Sequence, residues 1–249
     1  SDHYVKIIAV GAARHGGVWS DSAYRLVSTA GTVVVIRDEY THIEGLQIGG
    51  SSPGSQALIF LSSGATQTRI TGNLLRKVSG GGSSNGGIAS NAWANETQVD
   101  NNIVQGLQFG IGNFNGSTPN RLHVYANTIS GASVGLMASA PGSVLARNNL
   151  IVGSASAAVG VFAAGTDFNV TDAASVGYTV NGGGNLSDQL LRIVTFVDQA
   201  GGDLHLDITD TGARDLGTAS YPDALDTLDG DIDAQTRQVP WDAGADEAQ

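Results

Sequence analysis

The residues best suited to chemistry in this 249-residue sequence fall into two columns. Five short segments align on one another: Ile43 to Ile48, Ile70 to Leu75, Val99 to Val104, Val124 to Ile129 and Ala146 to Ile151. Side chains alternate across an extended strand, so burying the first residue of each segment turns its two neighbours outward. One outward column then reads His42, Arg69, Gln98, His123 and Leu145, and the other Glu44, Thr71, Asp100, Tyr125 and Arg147. A glycan along such columns would find a stacking face in Tyr125 and charged or hydrogen-bonding groups in Arg69, Asp100, Arg147 and Glu44. Arg69, Asp100, Tyr125 and Arg147 are therefore the glycan-binding candidates. Lyase action on a uronate needs a base and a cation beside the carboxylate, and Arg147 with Tyr125 or His123 comes nearest. Glycoside hydrolysis needs two carboxylates roughly 5 to 9.5 Å apart. Glu44 and Asp100, two rungs apart at about 9.6 Å, only reach that limit. No column carries acids in successive coils, so no catalytic residue is assigned and the balance leans away from an enzyme.

Metal and nucleophile signals are sparse. Asp229-Gly-Asp231-Ile-Asp233 has the start of a calcium loop, but an EF-hand needs Gly at its sixth position and Glu at its twelfth, where Ala234 and Pro240 stand. A looser structural Ca²⁺ site from Asp226, Asp229, Asp231 and Asp233 is the one metal candidate, and no other cofactor is expected. His3, His15 and His205 have no partner at metal-ligand spacing and read as ordinary polar positions. No serine lies in a Gly-x-Ser-x-Gly elbow, which disfavours a serine hydrolase.

The elements that must position these residues follow from the repeat. The segment starts lie 27, 29, 25 and 22 residues apart, and a second apolar strand around Ile59, Ile88, Ile111 and Leu136 precedes each later segment by 11, 11, 13 and 10. No window has the 3.6-residue periodicity of a helical repeat; runs of Val, Ile and Thr between Gly, Ser and Asn favour short strands. Coils of 22 to 29 residues predict an all-β, single-stranded parallel β-helix with two or three strands per coil. Asn73, Asn102, Asn127 and Asn149 share one position in successive coils, which predicts an asparagine ladder in a turn. The repeat covers residues 1–189, which hold 10 acids and 9 bases, whereas residues 190–249 hold 13 and 3. That acidic segment, with apolar points at Phe196, Leu204, Leu206 and Trp241, is expected to cap the last open coil of the same domain.

Composition removes several classes of partner. Gly supplies 35 residues, charged residues only 14%, and the formal net charge is −11 with lysine only at Lys6 and Lys77. Nucleic acid and anionic membrane surfaces are disfavoured by that charge. Zero cysteine excludes disulfides and thiolate sites. The two long uncharged stretches, 126–146 and 148–166, are rich in Ser, Gly and Asn and do not read as membrane insertions.

The Asn-Asn-Leu-Ile151 type of coil, the Gly-Asp-Leu-His-Leu206 element and the closing Trp241-Asp-Ala-Gly-Ala-Asp-Glu247 resemble bacterial and phage proteins of the right-handed parallel β-helix class with pectate-lyase-like architecture. That class includes polysaccharide lyases and hydrolases, surface adhesins, and phage tail or decoration proteins. The resemblance implies a structural or binding module in a virion or at the cell surface, such as a phage fibre, tail or capsid decoration. Its partners would be other virion or surface subunits, polysaccharide, or both. The alternative is a secreted polysaccharide lyase or glycoside hydrolase. Tyr4 to Val10 already reads as a strand with nothing capping it, so a longer chain or an oligomer is expected to cover that end. In this register Val99→Asp should cost several kcal/mol, and Asp100→Asn should lie within about half a kcal/mol of the parent.

Overall fold

A computed structural model describes residues 4–29, 31–51, 57–78, 86–92, 97–115, 121–175, 177–180, 188–221 and 228–249. Three parallel sheets form a β-solenoid. Sheet A stacks Val5–Ile8, Thr41–Glu44, Arg69–Thr71, Thr97–Asp100, Leu122–Tyr125 and Val144–Arg147. Sheet B stacks Arg25–Ser28, Gln47–Gly50, Leu74–Lys77, Ile103–Gln105, Thr128–Ser130, Leu150–Val152 and Val170–Thr171. Sheet C stacks Val34–Ile36, Ala57–Leu61, Gly86–Ser90, Phe109–Asn113, Val134–Ala138, Ser156–Phe162 and Tyr178–Val180. Each complete coil therefore contributes three short strands, the upper of the two expected counts.

The sequence repeat becomes the strand register. Ile43 pairs with Ile70, Ile70 with Val99, Val99 with Val124 and Val124 with Ala146. Ile59, Ile88, Ile111 and Leu136 pair in the same way in sheet C. These residues share one buried core with Ile48, Leu75, Val104, Ile129 and Ile151 of sheet B. Full burial of each such side chain contributes about 1.5–3 kcal/mol, which is why a charge at Val99 would be costly.

A left-handed residue turns the chain from sheet A into sheet B in each coil after the first: Gly45, Gly72, Asn101, Ala126, Asn148 and Phe168 all have φ between 50° and 71°. The next residue in five of these turns is the ladder asparagine. Asn127 donates from Nδ2 to the carbonyls of Val99 and Tyr125 and to Asn149 Oδ1, while its own Oδ1 accepts from Asn102 N and Nδ2. The same pattern joins Asn73 to Asn102 and Asn149 to Asn169, and ends on Asp188 Oδ1. Buried turn amides and carbonyls that have no strand partner are satisfied in this way. The ladder is thus one rung longer than the four expected, gaining Asn169.

The described part of the acidic segment packs along the side of the solenoid. Leu204, Leu206, Ala213, Ala243 and Ala245 cover Leu74, Ile103 and Leu150 on the outer face of sheet B, and Leu228 and Trp241, with Tyr221, cover Tyr125 and Leu145 on sheet A. Its contacts run from the first coil, where Arg14 Nη2 donates to Ile232 O, to the sixth, where Asn148 Nδ2 donates to Thr218 O. These contacts are lateral, while at the start of the segment the amides of Leu191 and Arg192 donate to Ala173 O and Thr171 O of the last coil. The Ala-Gly-Ala of the closing motif is required by this approach: a Cβ on Gly244 would lie 2.7 Å from Thr128 Oγ1 and 3.0 Å from Leu150 Cβ. At the other end, the first strand leaves Val5 57% and Ile7 45% exposed.

Candidate functional site

Sheet A carries the predicted columns in the predicted register. His42 pairs with Arg69, Arg69 with Gln98, Gln98 with His123 and His123 with Leu145, while Glu44, Thr71, Asp100, Tyr125 and Arg147 follow alongside. They point out of the core, yet most do not reach solvent. Gln98, Asp100, His123, Tyr125 and Leu145 are buried, with Tyr125 at 0%. The expectation of an open glycan-stacking face at Tyr125 is corrected: its ring lies 4.9 Å from Tyr221, which in turn stands 5.3 Å from Trp241. Tyr125 Oη is also engaged by His123 Nδ1 at 2.8 Å. Arg147 donates to Ser220 O at 2.9 Å and lies over the Phe168 ring.

Asp100 is the centre of a buried polar network. Its Oδ1 accepts from Arg69 Nε at 3.1 Å and Gln98 Nε2 at 2.8 Å, and its Oδ2 from Arg69 Nη2 at 3.1 Å, Thr71 Oγ1 at 2.6 Å and Asn101 Nδ2 at 3.4 Å. The Glu44 and Asp100 pair considered for hydrolysis is therefore corrected as well, because Asp100 is sealed off and held by an arginine. Glu44 bonds Lys6 Nζ at 2.7 Å and lines a cavity of about 150 Å³ with Arg14, Arg69, Thr71 and Asp231.

The closing motif is fastened next to this network. Arg237, whose side chain is fully buried, donates to Glu247 Oε2, Asn101 Oδ1 and Gly244 O. Burial pushes the Glu247 carboxyl above its usual range. Asn101 and Asn148, which occupy the left-handed turn positions, send their amides into the lateral segment at Gly230 O, Thr218 O and Tyr221 Oη. In these coils the first asparagine of the pair holds the lateral segment and the second builds the ladder.

Solvent reaches an aromatic groove on the outer face of sheet C instead. Its volume is about 420 Å³, and it is lined by Phe60, Phe109, Phe114, Ala57, Ala89, Asn91 and Thr32. The tip of the Phe109 ring sits against Gly86, where a Cβ would come within 1.7 Å of Cζ, and the ring stands 4.7 Å from Phe114. Asn91 Oδ1 is buried without a hydrogen-bond partner. Sequence reasoning missed this groove, although Phe60, Phe109 and Phe114 all fall in or next to the strand that precedes a ladder segment.

Among the described residues, Asp229, Asp231 and Asp233 do not form a group of converging ligand atoms. Asp226 lies outside the described residues and Asp229 is exposed. Asp231 uses Oδ1 to accept from the amides of Asp233 and Gln235. Only Asp233 faces other ligand types, and its partner is a residue the sequence reading dismissed. His205 Nε2 lies 3.0 Å from Asp233 Oδ2, and Nδ1 lies 2.6 Å from Asp203 Oδ1. The Asp233 hydrogen bond, reinforced by Asp203 and opposed by burial, raises the His205 pKa to about 9. His15 is also no ordinary polar position: buried, it bonds Gly72 O and Gly17 N, and burial aided by Arg14 lowers its pKa to about 4.

Stacked parallel coils and an internal asparagine ladder define a parallel β-helix repeat protein. No family model, curated protein or solved structure matches the chain. Among the described residues no helix is long and apolar enough to cross a membrane.

Proposed function

We propose that this protein is a structural and glycan-binding module of a virion or cell surface, with the groove on sheet C as its carbohydrate contact. The observation that carries this reading is the groove on one flank of the solenoid in which half-buried Phe60 and Phe114 flank the buried Phe109. Aromatic faces stack on the apolar faces of sugar rings, and the amide of Asn91 with the hydroxyl of Thr32 supplies hydrogen-bonding groups at the rim. The groove of about 420 Å³ lies within the range of small-ligand sites. A rod of coupled coils holds such a face in fixed geometry, so little conformational entropy is lost on binding.

A glycan array read with the parent and with Phe109→Ala and Phe114→Ala tests the reading. Binding by the parent and at least about tenfold weaker binding by both variants is the expected result, corresponding to about 1.4 kcal/mol. Equal binding by all three, or none by the parent across bacterial capsule, alginate and pectin fragments, overturns it. New unsaturated or reducing ends after incubation would replace it by the lyase or hydrolase reading.

A further inference from the structure

Within the lateral segment, three ligand side chains converge from separate stretches of the sequence. His205 comes from the strand Asp203–Leu206, Asp233 from the turn after Asp231, and Asp246 from the closing motif. One ligand atom from each lies within 4.8 Å of the others. Bonds of about 2.0–2.2 Å from a central ion place neighbouring ligands within such a span. We propose that His205 Nε2 and one carboxylate oxygen each from Asp233 and Asp246 bind a single divalent transition-metal ion of the Zn²⁺ or Mn²⁺ kind.

The surroundings support a cation in three ways. Asp233 Oδ1 and Asp231 Oδ2 are sealed from solvent and accept no hydrogen bond, and Asp231 as a whole is only 4% exposed. An acceptor buried without a donor is expensive, and a charged one more so. Asp231 sits on the same turn as Asp233, whose amide its Oδ1 accepts at 2.9 Å. Asp246 is buried as well, and only its Oδ2 is held by the chain, accepting from Leu206 N at 2.6 Å. The neighbouring fixed cation, Arg14, is directed to Ile232 O and lies 3.8 Å from Glu44.

The geometry also prepares the imidazole. Asp203 lies 2.6 Å from Nδ1 and orients the ring, so that Nε2 faces Asp233 Oδ2 at 3.0 Å and would exchange its proton for the ion, with Asp203 in the outer-shell role common to metal-bound histidines. Gly17 keeps the approach clear: a Cβ there would stand 2.0 Å from His205 Nε2 and 3.0 Å from Asp233 Oδ1. One imidazole with two carboxylates suits a borderline ion; Ca²⁺ prefers six to eight oxygens. Bound there, the ion would tie together three stretches of the lateral segment beside the first coil, making its binding energy part of folding energy.

The full chain, dialysed against chelator, is titrated calorimetrically with Zn²⁺, Mn²⁺ and Ca²⁺ in turn. One saturable equivalent of Zn²⁺ or Mn²⁺ in preference to Ca²⁺ is expected. His205→Gln and Asp246→Asn should abolish it, Asp203→Asn should weaken it about 10–100-fold, and the exposed Asp229→Asn should leave it unchanged. Circular dichroism checks that each variant folds. Because His205→Gln removes a staple, the imidazole nitrogen resonances of the parent are followed as well, with a shift at His205 Nε2 on adding Zn²⁺ as the expected sign. No saturable binding of either ion, a preference for Ca²⁺, an unmoved His205 resonance, or unchanged binding in folded His205→Gln and Asp246→Asn proteins would overturn the proposal.

Discussion

Asp100→Asn separates the register of sheet A from its burial. On an open strand face the change would be close to silent. In the structure Asp100 is 0% exposed and accepts five hydrogen bonds from Arg69, Thr71, Gln98 and Asn101. An asparagine presents one oxygen and one NH₂, so whichever way its amide turns, donors on the NH₂ side meet a donor. Arg69, only 14% exposed, also loses its counter-ion. Removing one partner of a buried pair costs about 3–5 kcal/mol, and the residual solvation of Arg69 brings this to roughly 2–4. For a chain of this size that is a fall of about 4–16 °C in melting temperature. Calorimetry on Asp100→Asn, Arg69→Met and the double variant measures it, with agreement of calorimetric and van't Hoff enthalpies as the check on two-state behaviour. The single Asp100→Asn change should cost more than the double variant's excess over Arg69→Met. A melting temperature within about 1 °C of the parent would refute the claim that the lateral segment seals this network.

In the middle of the ladder, Asn127→Ala leaves the carbonyls of Val99 and Tyr125 and the Asn102 side chain without their partner; a loss of about 3–5 kcal/mol in chemical denaturation is expected. His15 binds its proton at about 4 in the folded chain and at 6.5 when unfolded, so the unfolded state takes up more protons between these values. Its contribution, at most about 3 kcal/mol, is therefore present above pH 6.5 and disappears as the pH falls through 4; the stability gap between the parent and His15→Gln, measured at pH 7 and 4.5, should narrow. Gly244→Val drives a side chain into Thr128 and Leu150 at a φ of 108°, and proteolysis should then release the lateral segment while the coils resist.

Register and ladder were legible because each rests on a residue type recurring at one position, and the segment spacings of 27, 29, 25 and 22 are the offsets between paired strands. The cover over the outer faces had a signal that alternation obscured. Leu74-Leu75, Ile103-Val104 and Leu150-Ile151 place apolar residues in succession, which a strand does when both its faces are buried. His205 was not legible: Asp233 and Asp246 lie 28 and 41 residues away, outside any ligand spacing that a local motif supplies. The doubled asparagines at 101–102 and 148–149 announced a turn, and only the folded chain separates their two tasks.

The lateral segment follows the coils in the sequence and is therefore synthesised after them. Its 60 residues take roughly 3–12 s to synthesise, during which the coils are complete in sequence. Until it arrives, Leu74, Ile103 and Leu150 offer an apolar stripe to solvent, and Tyr125 and Leu145 stand in water. Nascent chains at this stage carry the sticky surface of an unfinished protein, and a premature stop near residue 189 would make that state permanent. The reward for waiting is coupling along the rod. A solenoid held only by neighbour contacts frays from its ends, whereas one laced from Arg14 to Asn148 must release several coils at once.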